Sequence, residues 1–157
     1  MMLLREAIRR MITETTVIAY HGTSRKFSKF DPELTGEFGF HFALTPESAQ
    51  HRSPVRLFRV TLRYDSPLEL PDVMRWDLQN IARELRLPRQ QVIDIKKKAS
   101  QNAKEDGRSM RTHENILLGH LLEELGYDAI AYDNRGEAGG KALIIWNPSQ
   151  IIKQEII

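Results

Sequence analysis

The strand-like segments of this sequence lie at its two ends, and the helix-like segments lie together between them. Short β-rich runs occur at 16–21 (TVIAYH), 39–44 (GFHFAL) and 55–64 (VRLFRVTLRY), then again at 128–133 (DAIAYD), 142–146 (ALIIW) and 150–157 (QIIKQEII). Between the two groups, 72–105 keeps helical spacing at Met74, Leu78, Ile81 and Leu85. Pro88 restarts the chain there, and Val92, Ile93 and Ile95 continue the pattern. A further helix is expected from Thr112, its N-cap, with Ile116, Leu117, Leu121, Leu122 and Leu125 as core face and Gly126 as C-terminal stop. Strands and helices that do not alternate argue against a doubly wound sheet. The expected class is α+β, with a helical insertion around 72–112.

Local signals fill in the rest. Residues 1–14 predict an N-terminal amphipathic helix with Leu4, Ile8, Met11 and Ile12 on one face. Residues 24–37 read as a loop, with turn signals at Asp31-Pro32 and Gly36. Thr45-Pro46-Glu47 reads as a helix start capped by Thr45, running through Ser48, Ala49 and His51. Segments 66–72 and 102–109 read as turn-rich, and 134–141 (NRGEAGGK) as a glycine-rich loop.

Composition narrows the classes. A chain of 157 residues suits one domain, 1–157, with a core of its own. Hydrophobic residues at 41% and charged residues at 28% are ordinary globular values. No apolar run reaches the ~18 residues of a transmembrane helix, and no apolar leader opens the chain, so no membrane partner is expected. The absence of cysteine excludes disulfides, thiolate zinc sites and cysteine nucleophiles, and fits a cytoplasmic protein. A formal charge of +2 is no nucleic-acid signature. The basic clusters at Lys96–Lys98 and at Arg52, Arg56, Arg59 and Arg63 read first as solvated faces, and second as a patch for a phosphate-bearing ligand. A monomer is expected.

The candidate chemistry starts with His21, which ends a strand and precedes Gly22. A glycine there lets a ligand approach the backbone, and a histidine can donate a ring N–H to a hydroxyl. His41 stands between Phe40 and Phe42. Glu137 lies in the glycine-rich loop before a strong apolar strand, with Tyr132 and Asn134 nearby in sequence. A metal-dependent hydrolase using His21, His41, His51, His113 or His120 is a second alternative. HExxH is absent, no two histidines stand at i,i+4, and only His113 and His120, seven apart, could share a helix face. No metal is expected.

Taken in order, four stretches resemble the ADP-ribosyltransferase superfamily: YHGTS (20–24), GFHFALTPESAQH (39–51), GYDAIAYDNRGE (126–137) and ALIIWNPSQIIK (142–153). The likeness is to the His-Tyr-Glu type shared with diphtheria toxin and the poly(ADP-ribose) polymerases, and within it to small phage-associated domains. It spans most of the chain outside 72–112. It implies a split β-sandwich with helices, and NAD as substrate. It also implies transfer of ADP-ribose to an unidentified macromolecular acceptor, protein or nucleic acid, with NAD glycohydrolysis as a side reaction. A toxin-like or phage-encoded effector, expressed in or delivered into a host cell, would fit.

By that resemblance His21 would bond a ribose hydroxyl, Gly22 would offer its backbone to the carboxamide, and Ser48 would add a hydroxyl. Thr23 and Phe42 would line the same pocket. Glu137 would hold the nicotinamide-ribose 2′-hydroxyl and stabilise the developing oxocarbenium charge. This sequence departs from the family pattern at three places. His51 stands where a nicotinamide-stacking tyrosine is usual, and it would have to be neutral to stack on a cationic ring. Ala142 occupies the last-strand position where some relatives carry the glutamate. Arg135, two residues before Glu137, gives no ground for an arginine acceptor. The first two departures keep open an inactive module that binds NAD, ADP-ribose or nucleic acid.

Overall fold

The computed structural model describes residues 4–5, 14–23, 29–31, 36–50, 56–134 and 140–157. The expected N-terminal helix lies outside them except for Leu4 and Arg5, which are helical. Seven strands are described: β1 (Thr15–Thr23), β2 (Phe40–Ala43), β3 (Arg56–Tyr64), β4 (Pro67–Glu69), β5 (Ala129–Asp133), β6 (Lys141–Ile145) and β7 (Ile151–Ile156). The helices are α1 (Pro46–Ala49), α2 (Leu78–Glu84), α3 (Arg89–Asp106) and α4 (Met110–Glu124), and a 3-10 turn at Pro148–Gln150 leads into β7. The α+β class is as expected.

The strands form one sheet in the order β4-β5-β6-β2-β1-β3-β7. It is not flat. In a flat sheet β3 and β4 would lie about 24 Å apart, five strand spacings of ~4.8 Å. The link from Tyr64 to Pro67 is three Cα steps, about 11 Å at most. The sheet therefore folds so that β1-β3-β7 faces β4-β5-β6-β2. Asp128 clamps the corner, because its carboxylate accepts the backbone N–H groups of Asp65 and Ser66, both at 2.8 Å. The Gln150 side-chain amide donates to the Arg63 and Asp128 carbonyls at 3.0 and 3.1 Å.

Strand alternation then separates two cores. Ala19 of β1, Phe58, Val60 and Leu62 of β3, Phe40 and Phe42 of β2, and Leu143 and Ile145 of β6 share the inner cluster. The opposite face of β5 and β6 turns Ile130, Tyr132, Ala142 and Ile144 onto Leu78, Ile81, Leu118 and Leu122 of the helices. The region expected as an insertion thus supplies part of one side of the second core, through Trp76, Leu78 and Ile81, together with Leu118 and Leu122 of α4.

Several expectations shift. Helix does not begin at 72. Asp77 is the N-cap of α2, and the lead-in holds Met74 at φ 65°, so its apolar spacing is not helical. The turn-rich exit at 66–72 contains β4, parallel to β5, too short to show alternation. Segment 102–109 is mostly helix: α3 runs to Asp106 and ends on Gly107 at φ 75°. The N-cap of α4 is Ser109 rather than Thr112, whose N–H donates to the Ser109 hydroxyl at 3.1 Å. Leu118 is fully buried on α4, whereas Leu125, an expected core residue, is 49% exposed. Among the described residues, no helix is long and apolar enough to cross a membrane.

Candidate functional site

The two half-sheets meet at a narrow seam. β1 and β2 share a single registered pair, Tyr20↔Ala43. One residue on, the ladder opens, and a side chain takes over: His21 Nδ1 lies 2.7 Å from the His41 carbonyl oxygen. A carbonyl can only accept, so Nδ1 carries the proton. In the neutral ring Nε2 is then an acceptor. The ring packs edge-on to Phe30 at 5.4 Å and against Phe42 at 5.8 Å. Burial lowers the His21 pKa from its ordinary 6.5, outweighing the bond to His41, which raises it. The sequence suggested a hydrogen-bond donor here. With Nδ1–H committed to His41, the neutral ring meets a further hydroxyl as an acceptor.

Gly22 and Thr23 continue β1 past the opening, half-buried, paired on their other side with Leu57 and Arg56 of β3. Phe42 is 1% exposed. Its role is to fix the His21 ring from within the core, and it has almost no surface to offer a ligand.

The next elements approach from the loops. Thr45 caps α1 as expected, accepting from the Ser48 N–H at 3.3 Å, and its hydroxyl donates to Ser48 Oγ at 2.9 Å. α1 packs on β1 and β2. The Asn134 N–H donates to the Gly140 carbonyl at 2.9 Å, and the Leu44 N–H to Lys141 at 3.3 Å. A side chain at Gly140 would stand 3.7 Å from Ser48 Oγ. The ends of the segment that carries Glu137 are therefore joined to each other beside Ser48. By register, Tyr20, Ala43, Ala142 and Tyr132 form one row. His21 lies one row to one side, and the loop leaves one row to the other, about 7 Å apart along the strands. Glu137 and His51 themselves lie outside the described residues.

Two further described histidines, His41 and His113, are engaged elsewhere. His41 turns to the helical face, where Nε2 donates to the Phe38 carbonyl at 3.1 Å and Nδ1 accepts from Tyr132 Oη at 3.2 Å. Trp76 packs on Tyr132 at 4.5 Å. His113 is buried on α4, with Nε2 2.8 Å from Asp106 at the end of α3. His120 is exposed and does not share the His113 contact. No group of three or more histidine, aspartate or glutamate side chains suited to a metal occurs among the described residues. Ala142 faces the helical core, so a longer acidic side chain there would point into apolar packing. Of the basic patch, Arg59 pairs with Glu155 and Arg63 with Glu14, which leaves them neutralised. A cleft of about 300 Å³ lies on the helical side, lined by Asn115, His120, Glu123 and Trp146 among others, and holds none of the residues expected to bind NAD.

Sequence reading did not find Phe30, Gly140 or the His41 carbonyl as parts of this arrangement. Only Thr45, three residues before Ser48 at a helix start, carried a readable signal for its contact.

No family model and no curated protein matches the chain. Among solved structures, it is similar to the crystal structure of an anti-CRISPR protein, at 18% identity and TM-score 0.42, over 91% of this chain and 96% of that one. It is also similar to the crystal structure of the M. tuberculosis MbcT–MbcA toxin–antitoxin complex, at 13% identity and TM-score 0.42, over 96% of this chain and 90% of that one. Likenesses this distant assign neither family nor activity to this chain.

Proposed function

We propose that this chain is an NAD-dependent mono-ADP-ribosyltransferase that also hydrolyses NAD. The observation that favours this reading is His21 at the opened seam: a neutral imidazole, its Nδ1–H held by the His41 carbonyl and its ring wedged against Phe30 and Phe42. A ribose hydroxyl would donate to Nε2. Gly22 would present its backbone to the nicotinamide carboxamide, and Ser48 its hydroxyl. Glu137 would accept from the ribose 2′-hydroxyl and stabilise the positive charge that grows as the C–N bond breaks; such a group contributes about 3–4 kcal/mol. The glycosidic pair of electrons leaves with nicotinamide. The acceptor nucleophile, or water, closes the bond to ribose and gives up a proton.

The test incubates the full chain with tagged NAD and cell lysate, beside Glu137→Gln and His21→Asn variants, with free nicotinamide recorded. Label and nicotinamide release lost in both variants, with folding intact by circular dichroism, is the expected result. The labelled fraction would then name the acceptor class. Binding of NAD with no release would favour an inactive module, and neither binding nor release would sink the reading.

A further inference from the structure

Two arginines of the sheet are neutralised, Arg59 by Glu155 and Arg63 by Glu14. The cations of α2 and α3 are not. On α3, Arg89, Lys96, Lys97 and Lys104 stand at i, i+7, i+8 and i+15, and at about 3.6 residues per turn they share one stripe. Asp94 and Glu105 fall to one side of it, and Asp94 accepts from the Gln90 side chain at 2.9 Å. Lys96 leans toward α2, where its Nζ donates to Gln79 Oε1 at 3.3 Å, a neutral partner that leaves the charge uncompensated. Arg83 stands one turn along α2 from Gln79 and so borders the same stripe. Arg83, Arg89, Lys97 and Lys104 are exposed, and Lys96 is half-buried. Among the described residues, none of the five pairs with a carboxylate.

The stripe is straight and runs about 22 Å from Arg89 to Lys104, with cations at three levels about 11 Å apart. Its complement is a stiff polyanion. Duplex DNA carries a charge every ~1.7 Å of axis and is held through its phosphates by charge alone. Other anionic partners draw on more than charge. An acidic protein relies on buried aromatic or apolar anchors, and an anionic membrane on an apolar face that inserts. The stripe offers one such side chain, Ile93, 45% exposed. A single strand is held by stacking on aromatic rings, and neither α2 nor α3 contains one.

We propose that the α2–α3 face is a docking surface for duplex nucleic acid, on which these five cations meet phosphates and no base is read. A formal charge of only +2 on the chain does not oppose this, because at a screening length of ~8 Å a local stripe acts on its own. This proposal does not depend on the enzymatic reading.

Fluorescence anisotropy of the full chain with a labelled DNA duplex of about 20 base pairs, between about 30 and 300 mM salt, tests it. The expected slope of log affinity against log salt is roughly −4, whatever the base sequence. Lys97→Gln with Lys104→Gln should make the slope about two units shallower and weaken binding about tenfold at low salt. Lys98→Gln with Lys153→Gln removes the same charge from exposed positions off the stripe, and should leave the slope unchanged. Circular dichroism confirms that both double variants are folded. A duplex left unbound at the lowest salt overturns the proposal, and so does an equal loss in the two double variants. Single-stranded DNA, poly-glutamate or phosphatidylserine vesicles bound as tightly as the duplex would also overturn it, and would assign the stripe to a single strand, an acidic protein or a lipid surface.

Discussion

At the scale of single residues, His21 and Gly39 carry the clearest consequences. The folded pKa of His21 is lowered by burial, so as pH falls the unfolded chain takes the proton first. Its contribution to stability is therefore complete above its ordinary 6.5 and declines as pH falls below that toward the folded value. An NMR titration of the ring should give a midpoint below 6.5, and nicotinamide release should fall on the acid side as the acceptor at Nε2 is protonated. A midpoint above 6.5 would contradict the burial account. Gly39 sits at φ 72°, and a Cβ there would lie 2.5 Å from Ile144 Cγ2 and 3.0 Å from the Ile145 carbonyl oxygen. Both the backbone angle and the space exclude a side chain. Gly39→Ala should cost about 2–4 kcal/mol by urea unfolding, and a loss below ~1 kcal/mol would mean that β6 can move aside.

Among elements, the junction between α3 and α4 separates what a local pattern can show from what it cannot. The sequence shows helix on either side of a break. It offers Thr112 as the cap, because Thr112 precedes the apolar run. Ser109 caps instead, and the run from Met110 adds most of a turn upstream. Ser109→Ala should cost about 1 kcal/mol, a few degrees of thermal midpoint, and Thr112→Ala clearly less. The reverse order would restore the cap to Thr112. The strands were legible to within a residue or two because β-branched and aromatic residues cluster between turn signals. β4 was not, since three residues carry no period. The candidate site was legible only in part. His21-Gly22 and Thr45-Ser48 show in the local sequence, whereas Phe30, Gly140 and the His41 carbonyl reach His21 and Ser48 only through strand register.

For the whole molecule, the two cores rest on opposite sides of β2, β5 and β6, so acid acts on each through a different group. In the inner core it acts through His21, below 6.5. Against the helical layer it acts through Asp106, whose carboxyl is held below its ordinary 3.8, first by the hydrogen bond from His113 and then by the Arg108 N–H. A depressed carboxyl contributes above 3.8, and that contribution is lost as pH falls through the folded value. The urea midpoint should thus show one decline that begins below 6.5 and another that begins below 3.8. Asp106→Asn should flatten the lower one, and His21→Asn the upper. One decline that neither substitution alters would place the acid sensitivity elsewhere.

Local chemistry determined the class of this protein: period-2 runs at the ends, period-3.6 runs between, and turn residues at the joints, each readable within a few neighbours. Tertiary structure alone decided that the sheet folds back at Asp65-Ser66, that the helical segment completes a core, and that His21 donates across an opened seam to His41. These depend on which strands become neighbours, and residues twenty to ninety apart in sequence meet only after the chain has closed those loops.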